Sequence, residues 1–410
     1  MSDSVGKAPG PGLGASAAGE GLRLRRRRRW VKGAALGLAV LLAAAGGTGW
    51  ALYAKLSNNI TADDAAAREL ARYERERPTA LVRGAQNILL IGSDTRAGDG
   101  NARYGRDLGS ERSDTTILLH LAADRRSATA VSLPRDLMVD IPGCRQPDGS
   151  RSEPVFAMFN HAFQVGGSAC TIRTVEKLTD IRIDHHVVVD FSGFKEMVDA
   201  VDGVQVCLKE PIDDKAARLK LPAGKVGLDG EQALGYVRAR KSLGDGSDTE
   251  RLERQQRFLA ALVDKMQSND VLLNPVKLYP VLDAATSSLT TDPELASLRG
   301  MYQLVRGLRG IPTEQVQFLT VPRESYVYDA NRDQLVEPEA EKLFARLRAD
   351  RPVAVARNTP SKAPQTGEKG ELSPAKGDPD PSNGSTPPAK GDASPAPTFH
   401  GNTAAEHTCE

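Results

Sequence analysis

Residues 185–208 read HHVVVDFSGFKEMVDAVDGVQVCL, and this stretch decides the fold class. Its two ends, HHVVVDF and VQVCL, are short valine-rich runs of the kind found in buried strands. The segment between them, FSGFKEMVDAV, is of helical type. A strand followed by a helix and a second strand is typical of layered α/β domains, so the stretch predicts that class.

The same alternation continues in both directions along the chain. Further strand-like runs are QNILLIG, TTILLHLA, ATAVSLP and VQFLTVP, and helix-like segments are CTIRTVEKLTD, EQALGYV, TERLERQQRFLAALVDKM, residues 294–308 and VEPEAEKLFARLRAD. We therefore predict an α/β fold, a three-layer α/β/α domain with a central mixed sheet, over residues 85–350. In open α/β sheets, ligands bind in crevices beyond the strand ends.

A membrane-spanning helix is predicted ahead of this domain, at residues 30–54. No charged residue interrupts the 22 positions from Gly33 to Ala54, which as a helix measure about 33 Å, the thickness of a bilayer core. Arginines of the basic segment 1–29 precede it, so the positive-inside rule keeps that segment in the cytoplasm and the rest of the chain outside the cell membrane. A cleaved signal peptide is the alternative, but its apolar region is shorter, about 7–15 residues.

Two segments flank the predicted domain. Residues 55–84 include TADDAAARELARYERERP, which predicts a polar helix capped by Thr61 within a juxtamembrane stalk. Residues 351–410 are rich in Pro, Ser, Gly and Lys and poor in apolar residues, which is the composition of a disordered tail.

Composition argues against a nucleic-acid partner. The chain carries 54 Lys and Arg against 53 Asp and Glu, a net charge of +1, whereas a surface that follows a nucleic-acid backbone needs an unbalanced basic excess. The sequence contains no Walker A, GxSxG or HExxH motif. Its scattered histidines favour core or surface roles over catalysis.

The four cysteines are an even number, which fits a compartment that permits disulfides. Cys144 and Cys170 bracket an excursion rich in Pro, Gly and Ser, so we predict a disulfide that closes this loop; isolated buried thiols are the alternative. The partners of Cys207 and Cys409 stay open. No CxxC pair or Cys/His cluster indicates zinc.

Two aspartates stand at predicted strand ends, Asp94 in IGSDTR and Asp114 in RSDTTILLHL. Carboxylates beside Ser and Thr are the hard oxygen ligands that Mg²⁺ accepts through one or two protein groups together with substrate phosphates. The alternative is turn chemistry, because Asp beside Ser or Thr commonly ties off a strand end.

A third charged pair follows a strand in VSLPRDLMVDIPG, where Pro134 ends the strand and presents Arg135 and Asp136. The guanidinium can clamp a phosphate through two hydrogen bonds while the carboxylate orients it or binds metal. A local Arg–Asp surface pair explains the motif equally well.

The stretch GYVRARKSLGDGSDTERLERQQRFL predicts an anion site at a helix N-terminus. Ser247 and Glu250 are spaced as a capping box, so a helix is expected from about Asp248 to about Met266. Its periodicity places Arg251 and Gln255 on the buried face with Phe258, Leu259, Leu262 and Met266, with Arg254 at the edge and Arg257 outside. A helix capped by Asp229 should unravel near Arg238, which brings Arg238 and Arg240 onto one face of extended chain.

Eight motifs, taken in order, resemble the LytR-CpsA-Psr family of Gram-positive bacteria. They are GSDTR, RSDTTI, SLPRD, FNHAFQVGG, IDHHVVVDFSGF, VDAVDGVQVC, LDGEQALGYVRAR and DTERLERQQ, behind one N-terminal anchor. The high Ala, Gly and Arg content is similar to that of actinobacterial members. The sequence departs from the family in the insertion AGDGNARYGRDLGSE, between Asp94 and Arg112.

The resemblance implies an extracytoplasmic phosphotransferase. Such an enzyme moves a glycopolymer from a polyprenyl-pyrophosphate carrier onto peptidoglycan through a phosphodiester bond, with Mg²⁺ or Mn²⁺ as cofactor. Lipid-linked glycopolymer, peptidoglycan and the membrane are therefore the expected partners. A hydrolytic pyrophosphatase and a non-enzymatic envelope regulator that only binds the lipid carrier are the alternatives.

The family motifs also imply roles for single residues. We expect metal binding by Asp94 and Asp114. Catalytic roles are expected for Arg112, Arg135, Asp136 and Arg240, and pyrophosphate binding for Arg135, Arg238, Arg240, Arg251, Arg254 and Gln255. Asn160 and Asp248 match motif positions whose roles are not specified by the resemblance.

Overall fold

The computed structural model describes residues 17–93, 113–239, 248–268, 275–356 and 398–407. The chain divides into two compact units, residues 1–58 and residues 59–410. Helix α1 (Ala17–Asn59) contains a segment, Trp30–Asn59, that by length and composition is able to cross a membrane. The predicted spanning residues 30–54 lie within that segment.

The second unit alternates strands and helices, as the sequence predicts. Its strands are β1 (Thr61–Ala62), β2 (Gln86–Ser93), β3 (Ser113–Leu121), β4 (Ala128–Leu133), β5 (Met138–Ile141), β6 (Val155–Met158), β7 (His185–Val189), β8 (Val204–Leu208), β9 (Ile212–Asp214), β10 (Leu219–Leu221), β11 (Gly224–Leu228), β12 (Leu289–Thr291), β13 (Val316–Thr320), β14 (Arg323–Tyr326), β15 (Asp329–Leu335), β16 (Ala354–Ala356) and β17 (Thr398–Thr403). Its helices are α2 (Asp64–Arg72), α3 (His161–Thr179), α4 (Phe191–Ala200), α5 (Gly230–Arg238), α6 (Asp248–Gln267), α7 (Pro275–Ser288), α8 (Leu298–Arg309) and α9 (Glu339–Arg348).

A central sheet organises this unit, with the strand order β1-β12-β7-β2-β3-β4-β13-β17-β16. Strands β2, β3 and β4 form an antiparallel meander, while β7 runs parallel to β2 and β13 parallel to β4. The sheet is therefore mixed, which confirms the predicted fold class.

Both faces of the sheet are covered by other elements. Side chains alternate along its buried strands, so neighbouring residues enter cores on opposite faces. Leu89 and Ile91 of β2 point into a core shared with α2, α3 and α9, where Phe163 and Leu343 pack. Ile88 points the other way, into a core that it shares with Ala260 of α6. The sheet is thus the middle layer of the predicted three.

Strand β8, the run VQVCL, belongs to a smaller substructure and not to the central sheet. It pairs antiparallel with β11, and Gly203 makes the turn before it at φ 77°, where a Cβ would lie 2.8 Å from the Leu228 carbonyl oxygen. Strands β8 to β11 share a core with α4, α5, α6 and α7. Helix α6 of this substructure also packs on one face of the central sheet.

The predicted stalk is wrong for residues 59–84, which are part of the folded unit. Strand β1 pairs in parallel with β12 at the edge of the sheet, and α2 packs on α3 through Ala66 and Leu70. The helix cap is Asp63, whose carboxylate accepts from the Ala66 amide at 2.9 Å, and not Thr61. A stripe of only two apolar positions among charged residues hid this packing from the sequence.

The predicted disordered tail needs correction at both of its ends. Strand β17 pairs antiparallel with β13 and parallel with β16, so residues 354–356 and 398–403 belong to the sheet. Phe399 and Ala404 are buried. Residues 357–397, which give the region its Pro and Ser content, lie outside the described residues.

A disulfide joins Cys144 to Cys170, as predicted, with the sulfur atoms 2.09 Å apart. It fixes the loop after β5 against the middle of α3. Cys207 of β8 is also disulfide-bonded.

Candidate functional site

Four strands bring polar residues together at one end of the sheet. Since β2, β7 and β4 run in the same direction and β3 runs opposite, the ends of the first three strands meet the start of β3. Ser93, Asp190, Arg135 and Asp114 stand at these positions. We call this the polar end of the sheet, and it lies where ligands of open α/β sheets bind.

Arg135 links two of the predicted site carboxylates, those of Asp114 and Asp136. Its guanidinium donates to Asp114 at 2.8 Å and to Asp136 at 3.3 Å. All three side chains are half-buried, which leaves them open to a ligand while limiting the screening of their charges by water. Arg135 is therefore more than a local surface pair with Asp136, because it also reaches across to β3.

Asn160 holds the backbone of Arg135 in place. Its backbone amide donates to the Arg135 carbonyl at 3.0 Å, at the start of α3. The Asn160 side chain is buried, and its Oδ1 has no hydrogen-bond partner in the part of the chain that the structure describes. A buried acceptor of this kind is costly unless a ligand or further chain pairs with it.

A cavity of about 520 Å³ opens from the polar end and runs between the sheet and helices α4, α5 and α6. This volume is typical of pockets for small molecules. The apolar lining comes from the sheet (Leu90, Ile117, Val189), α4 (Phe191, Phe194, Met197), α5 (Leu234, Val237) and α6 (Phe258, Leu259, Leu262). The polar residues that line it include Ser93, Asp114, Arg135, Asp190, Asp214, Arg238, Arg251 and Gln255. We call this hollow the apolar cavity.

Arg238 reaches the cavity because α5 ends there, as predicted. Asp229 and Gln232 form a capping box at the start of α5, and Ala239 after its last residue is extended at φ −57° and ψ 137°. The Arg238 guanidinium lies over the ring of Phe191, 4.5 Å from the centroid. This cation–π contact orients the charge.

Helix α6 supplies the other predicted groups, and its range confirms the expected helix. Arg251 is 5% exposed and lines the cavity, as does Gln255, which donates from Nε2 to the Val237 carbonyl at 3.2 Å. Arg257 lies on the outer face and pairs with Glu253 at 3.2 Å. The predicted division of this helix into an inner and an outer face is therefore correct.

Arg254 is buried and contacts the end of α5. Its guanidinium donates to the Ala239 carbonyl, and its Nε has no hydrogen-bond partner among the described residues. Arg254 is not one of the described residues that line the apolar cavity. Burial lowers the pKa of Arg254, with the charges of Tyr236 and Glu250 acting in the opposite direction. This contact joins α6 to the end of α5, and pyrophosphate binding by Arg254 stays a prediction.

Three predicted residues, Asp94, Arg112 and Arg240, lie outside the described residues. Each is directly connected to a described part of the site: Asp94 follows Ser93, Arg112 precedes Ser113, and Arg240 follows Ala239.

Some cavity residues were missed by sequence reasoning. Asp190 and Phe191 directly follow the strand HHVVV, which is the position that signalled Asp94 and Arg135. Asp190 caps α4 by accepting from the Gly193 amide at 2.7 Å. Asp214 holds the β9–β10 turn through the amides of Ala216 and Ala217, and its distance from the other motifs gave no signal.

Comparison with known proteins identifies one family. A family model described as the LytR_cpsA_psr family matches residues 54–349. This range includes the strands of the polar end and the helices that line the apolar cavity.

Individual relatives agree with the family match. The chain is 36% identical over 271 residues to the probable cell wall biosynthesis protein LcpB of Corynebacterium glutamicum, covering 64% of this chain and 61% of that protein. It is 30% identical over 325 residues to the polyisoprenyl-teichoic acid–peptidoglycan teichoic acid transferase TagT of Bacillus subtilis, covering 76% and 93%. A solved LytR-Csp2A-Psr enzyme from Actinomyces oris shares the fold, with a TM-score of 0.53, 21% identity and coverage of 66% and 93%.

Proposed function

The chain belongs to the LytR-CpsA-Psr family, and from that premise we propose that it transfers a glycopolymer from a polyprenyl-pyrophosphate carrier to peptidoglycan. Relatives named as teichoic acid transferases support transferase activity. The acceptor atom would be a sugar hydroxyl and the new bond a phosphodiester.

The observation that carries the proposal is the apolar cavity with cations at its polar end. A polyprenyl chain needs a dry apolar tunnel, which the sheet, α4 and α6 supply. A pyrophosphate needs positive charge at the tunnel mouth, which Arg135, Arg238 and Arg251 supply.

The expected chemistry is substitution at phosphorus. The acceptor hydroxyl oxygen bonds to the phosphorus that carries the glycopolymer, the bond from that phosphorus to the bridging oxygen breaks, and the hydroxyl proton is released. Polyprenyl phosphate leaves with the bonding electron pair. Such a reaction asks mainly for positioning and for stabilisation of the charge on the leaving group, and the arginines do both.

Mg²⁺ fits the donor chemistry of the site. The half-buried Asp114 carboxylate stands at the polar end, and Asp94 is the next residue in the sequence after Ser93. Within the described residues no group of three His, Cys, Asp or Glu is arranged to hold a metal, and Mg²⁺ in phosphate sites commonly uses one or two carboxylates with substrate oxygens. When bound, Mg²⁺ would neutralise pyrophosphate charge. Asp114 would hold it, and Arg135 would keep that carboxylate oriented.

We further propose that α1 crosses the membrane with residues 1–29 in the cytoplasm and the catalytic unit outside. Arg25 to Arg29 before the apolar segment favour this orientation. Anchoring suits a substrate whose carrier stays in the bilayer.

The full-length protein in detergent, given a short-chain polyprenyl-pyrophosphate disaccharide and soluble peptidoglycan, tests the proposal. Arg238→Ala and Arg240→Ala should lower transfer by about 100-fold or more, while Arg257→Ala on the outer face of α6 should not. Product analysis with and without acceptor separates transfer from hydrolysis. Wild-type protein that yields only hydrolysis products would make this a pyrophosphatase.

Metal dependence needs its own measurement. Binding of Mn²⁺ as a paramagnetic probe should be observed for the wild type with pyrophosphate present and should weaken in Asp114→Asn. Equal binding by the two proteins would remove Asp114 from the metal site.

A further inference from the structure

A second hollow lies beside the polar end and shares only Ser93 and Asp190 with the lining of the proposed prenyl site. It encloses about 920 Å³ between α2, the first half of α3, the start of α4, the end of α7 and the loop after Cys144. We call it the second cleft.

The two hollows open on opposite faces of the sheet. On β7, Val188 lines the second cleft and packs toward the core of α2 and α3, whereas Val189 lines the apolar cavity and packs toward the core of α6. On β2, Leu90 and Ile91 line the apolar cavity and not the second cleft, although Ile91 packs into the core of α2 and α3. The sheet therefore lies between the two hollows at β7.

They meet at the polar end. Ser93 and Asp190, the residues at the ends of β2 and β7, line both hollows. Asp114 and Arg135 line the apolar cavity at this same end. A phosphorus atom held there would be reachable from both faces.

The lining of the second cleft differs from that of the apolar cavity. It carries hydroxyl groups and charges of both signs: Ser192, Ser287, Ser288, Thr290, Arg68, Arg72, Arg145, Asp63, Glu69 and Glu196. An apolar chain would remove these groups from water, which is costly even though Glu69 pairs with Arg72 at 3.6 Å and Glu196 accepts from Ser288 at 2.8 Å. A polyhydroxylated ligand that also bears carboxylates and amines would pair with them.

One wall of the cleft is set by a break in α3. Gly166 and Gly167 have non-helical backbone angles, and a Cβ on Gly166 would lie 2.8 Å from the Arg145 carbonyl oxygen and 2.9 Å from the Cys170 Cβ. Gly167, at φ 59°, has nothing within 4 Å of such a Cβ. The break thus lets the disulfide-linked loop approach closely on one side while keeping the cleft open.

We propose that the second cleft binds the acceptor, a segment of glycan strand with its charged peptide substituents, and delivers its hydroxyl to the phosphorus at Ser93 and Asp190. This inference rests on the proposed function. The sugars of the donor have the same chemistry, but geometry favours the acceptor: in phosphoryl transfer the attacking and leaving oxygens lie roughly in line, on opposite sides of phosphorus. With the leaving polyprenyl phosphate in the apolar cavity, attack comes from the other face of the sheet.

The test narrows the cleft with Ala65→Trp, using Ala71→Trp as its matched control. Both alanines are exposed positions of α2, and of the two only Ala65 lines the cleft. In the full-length protein, Ala65→Trp should raise the KM for soluble peptidoglycan fragments at least tenfold and leave the KM for the lipid-linked donor unchanged. Ala71→Trp should change neither. Ser287→Trp narrows the cleft from α7 and should repeat the effect if the first variant folds poorly.

Two results overturn the inference: an unchanged acceptor KM in both cleft variants, or a rise in the donor KM instead, which would make the cleft a donor-sugar site. Binding of the fragments without donor is measured in parallel and should weaken at least tenfold in Ala65→Trp. Wild-type protein that binds fragments in this cleft-dependent way yet transfers nothing would refute the proposed function and keep the cleft. If wild-type protein transfers the glycopolymer while Ala65→Trp binds the fragments normally, the proposed function is kept and acceptor binding in the second cleft is refuted.

Discussion

The Arg135 guanidinium donates to the Asp114 carboxylate at 2.8 Å, so the end of β4 is joined to the start of β3 through charged groups that face the apolar cavity. The pyrophosphate of the proposed substrate would meet a cation there that is already oriented by a carboxylate. The pair is half-buried, so the interaction is only partly screened by solvent.

Arg135→Ala should therefore lower the transfer rate by about 100-fold or more, because it removes a positioned donor from the charge that develops on the leaving group. Arg135→Lys keeps the charge but loses the planar fork, and an intermediate loss is expected. Steady-state kinetics with lipid-linked donor measures both. A Lys variant as slow as the Ala variant would show that fork geometry, and not charge, is what matters; full activity of the Ala variant would remove Arg135 from the site.

Leu262→Trp should obstruct the apolar cavity, because Leu262 lines it from α6. We expect the KM for donors with long prenyl chains to rise about tenfold, a loss typical of a misfitting apolar contact, with a smaller change for very short chains. Leu282→Trp on α7 is the control, since Leu282 is 38% exposed and lies outside the cavity lining. If Leu262→Trp changes the KM for long and short donors by the same factor relative to the wild type, the hydrocarbon lies elsewhere.

His185 should make stability depend on pH. Its Nδ1 lies 3.2 Å from Asp292. Burial acts to lower the pKa of His185, but the hydrogen bond and charge of Asp292, with Asp184 and Glu294, raise it above its ordinary 6.5. A raised folded pKa contributes stability that is fully present below pH 6.5 and is lost as the pH rises through the folded value.

The Tm of the wild type, compared with that of His185→Gln between about pH 6 and about pH 9, measures this contribution. The advantage of the wild type should be largest at the acid end and shrink as the pH rises. The pKa of Asp292 is lowered by its own contacts, chiefly His185, despite burial, so loss of its contribution falls below pH 3.8, outside this range. A Tm difference that is constant with pH would contradict the prediction.

Removing the disulfide with Cys144→Ser and Cys170→Ser should destabilise the fold. The two residues are 26 positions apart, and closing a loop of that length corresponds to about 3.5 kcal/mol in the chain-entropy description. Urea unfolding monitored at the same protein concentration measures the loss. If the double variant loses less than about 1 kcal/mol, the loop after β5 is held by its packing against Gly166.

The sequence predicts helix α6 and its faces well because that information is local. A period of 3.6 residues placed Arg251 and Gln255 inward and Arg257 outward, and all three lie so. The same reasoning could not give Arg254 its partner, since the Ala239 carbonyl belongs to another helix end and is reached only after folding.

A prenyl-linked substrate requires an apolar cavity, but the sequence does not show which residues line it. Leu259 and Leu262 look like ordinary core residues in sequence, and whether such residues close on one another or leave a tunnel depends on how far α6 stands from the sheet. Residues 59–72 and 398–403 were missed for a related reason: each contributes a short strand or a narrow apolar stripe whose partner is distant in the chain.

The position of β17 bears on how the protein matures. Strand β13 receives its outer neighbour from residues 398–403, which lie far from it in the chain. Contacts of such large sequence separation form slowly. Under the proposed topology, the sheet would be complete only after residues 398–403 had crossed the membrane, and a chain cut before them would leave the outer side of β13 without this strand.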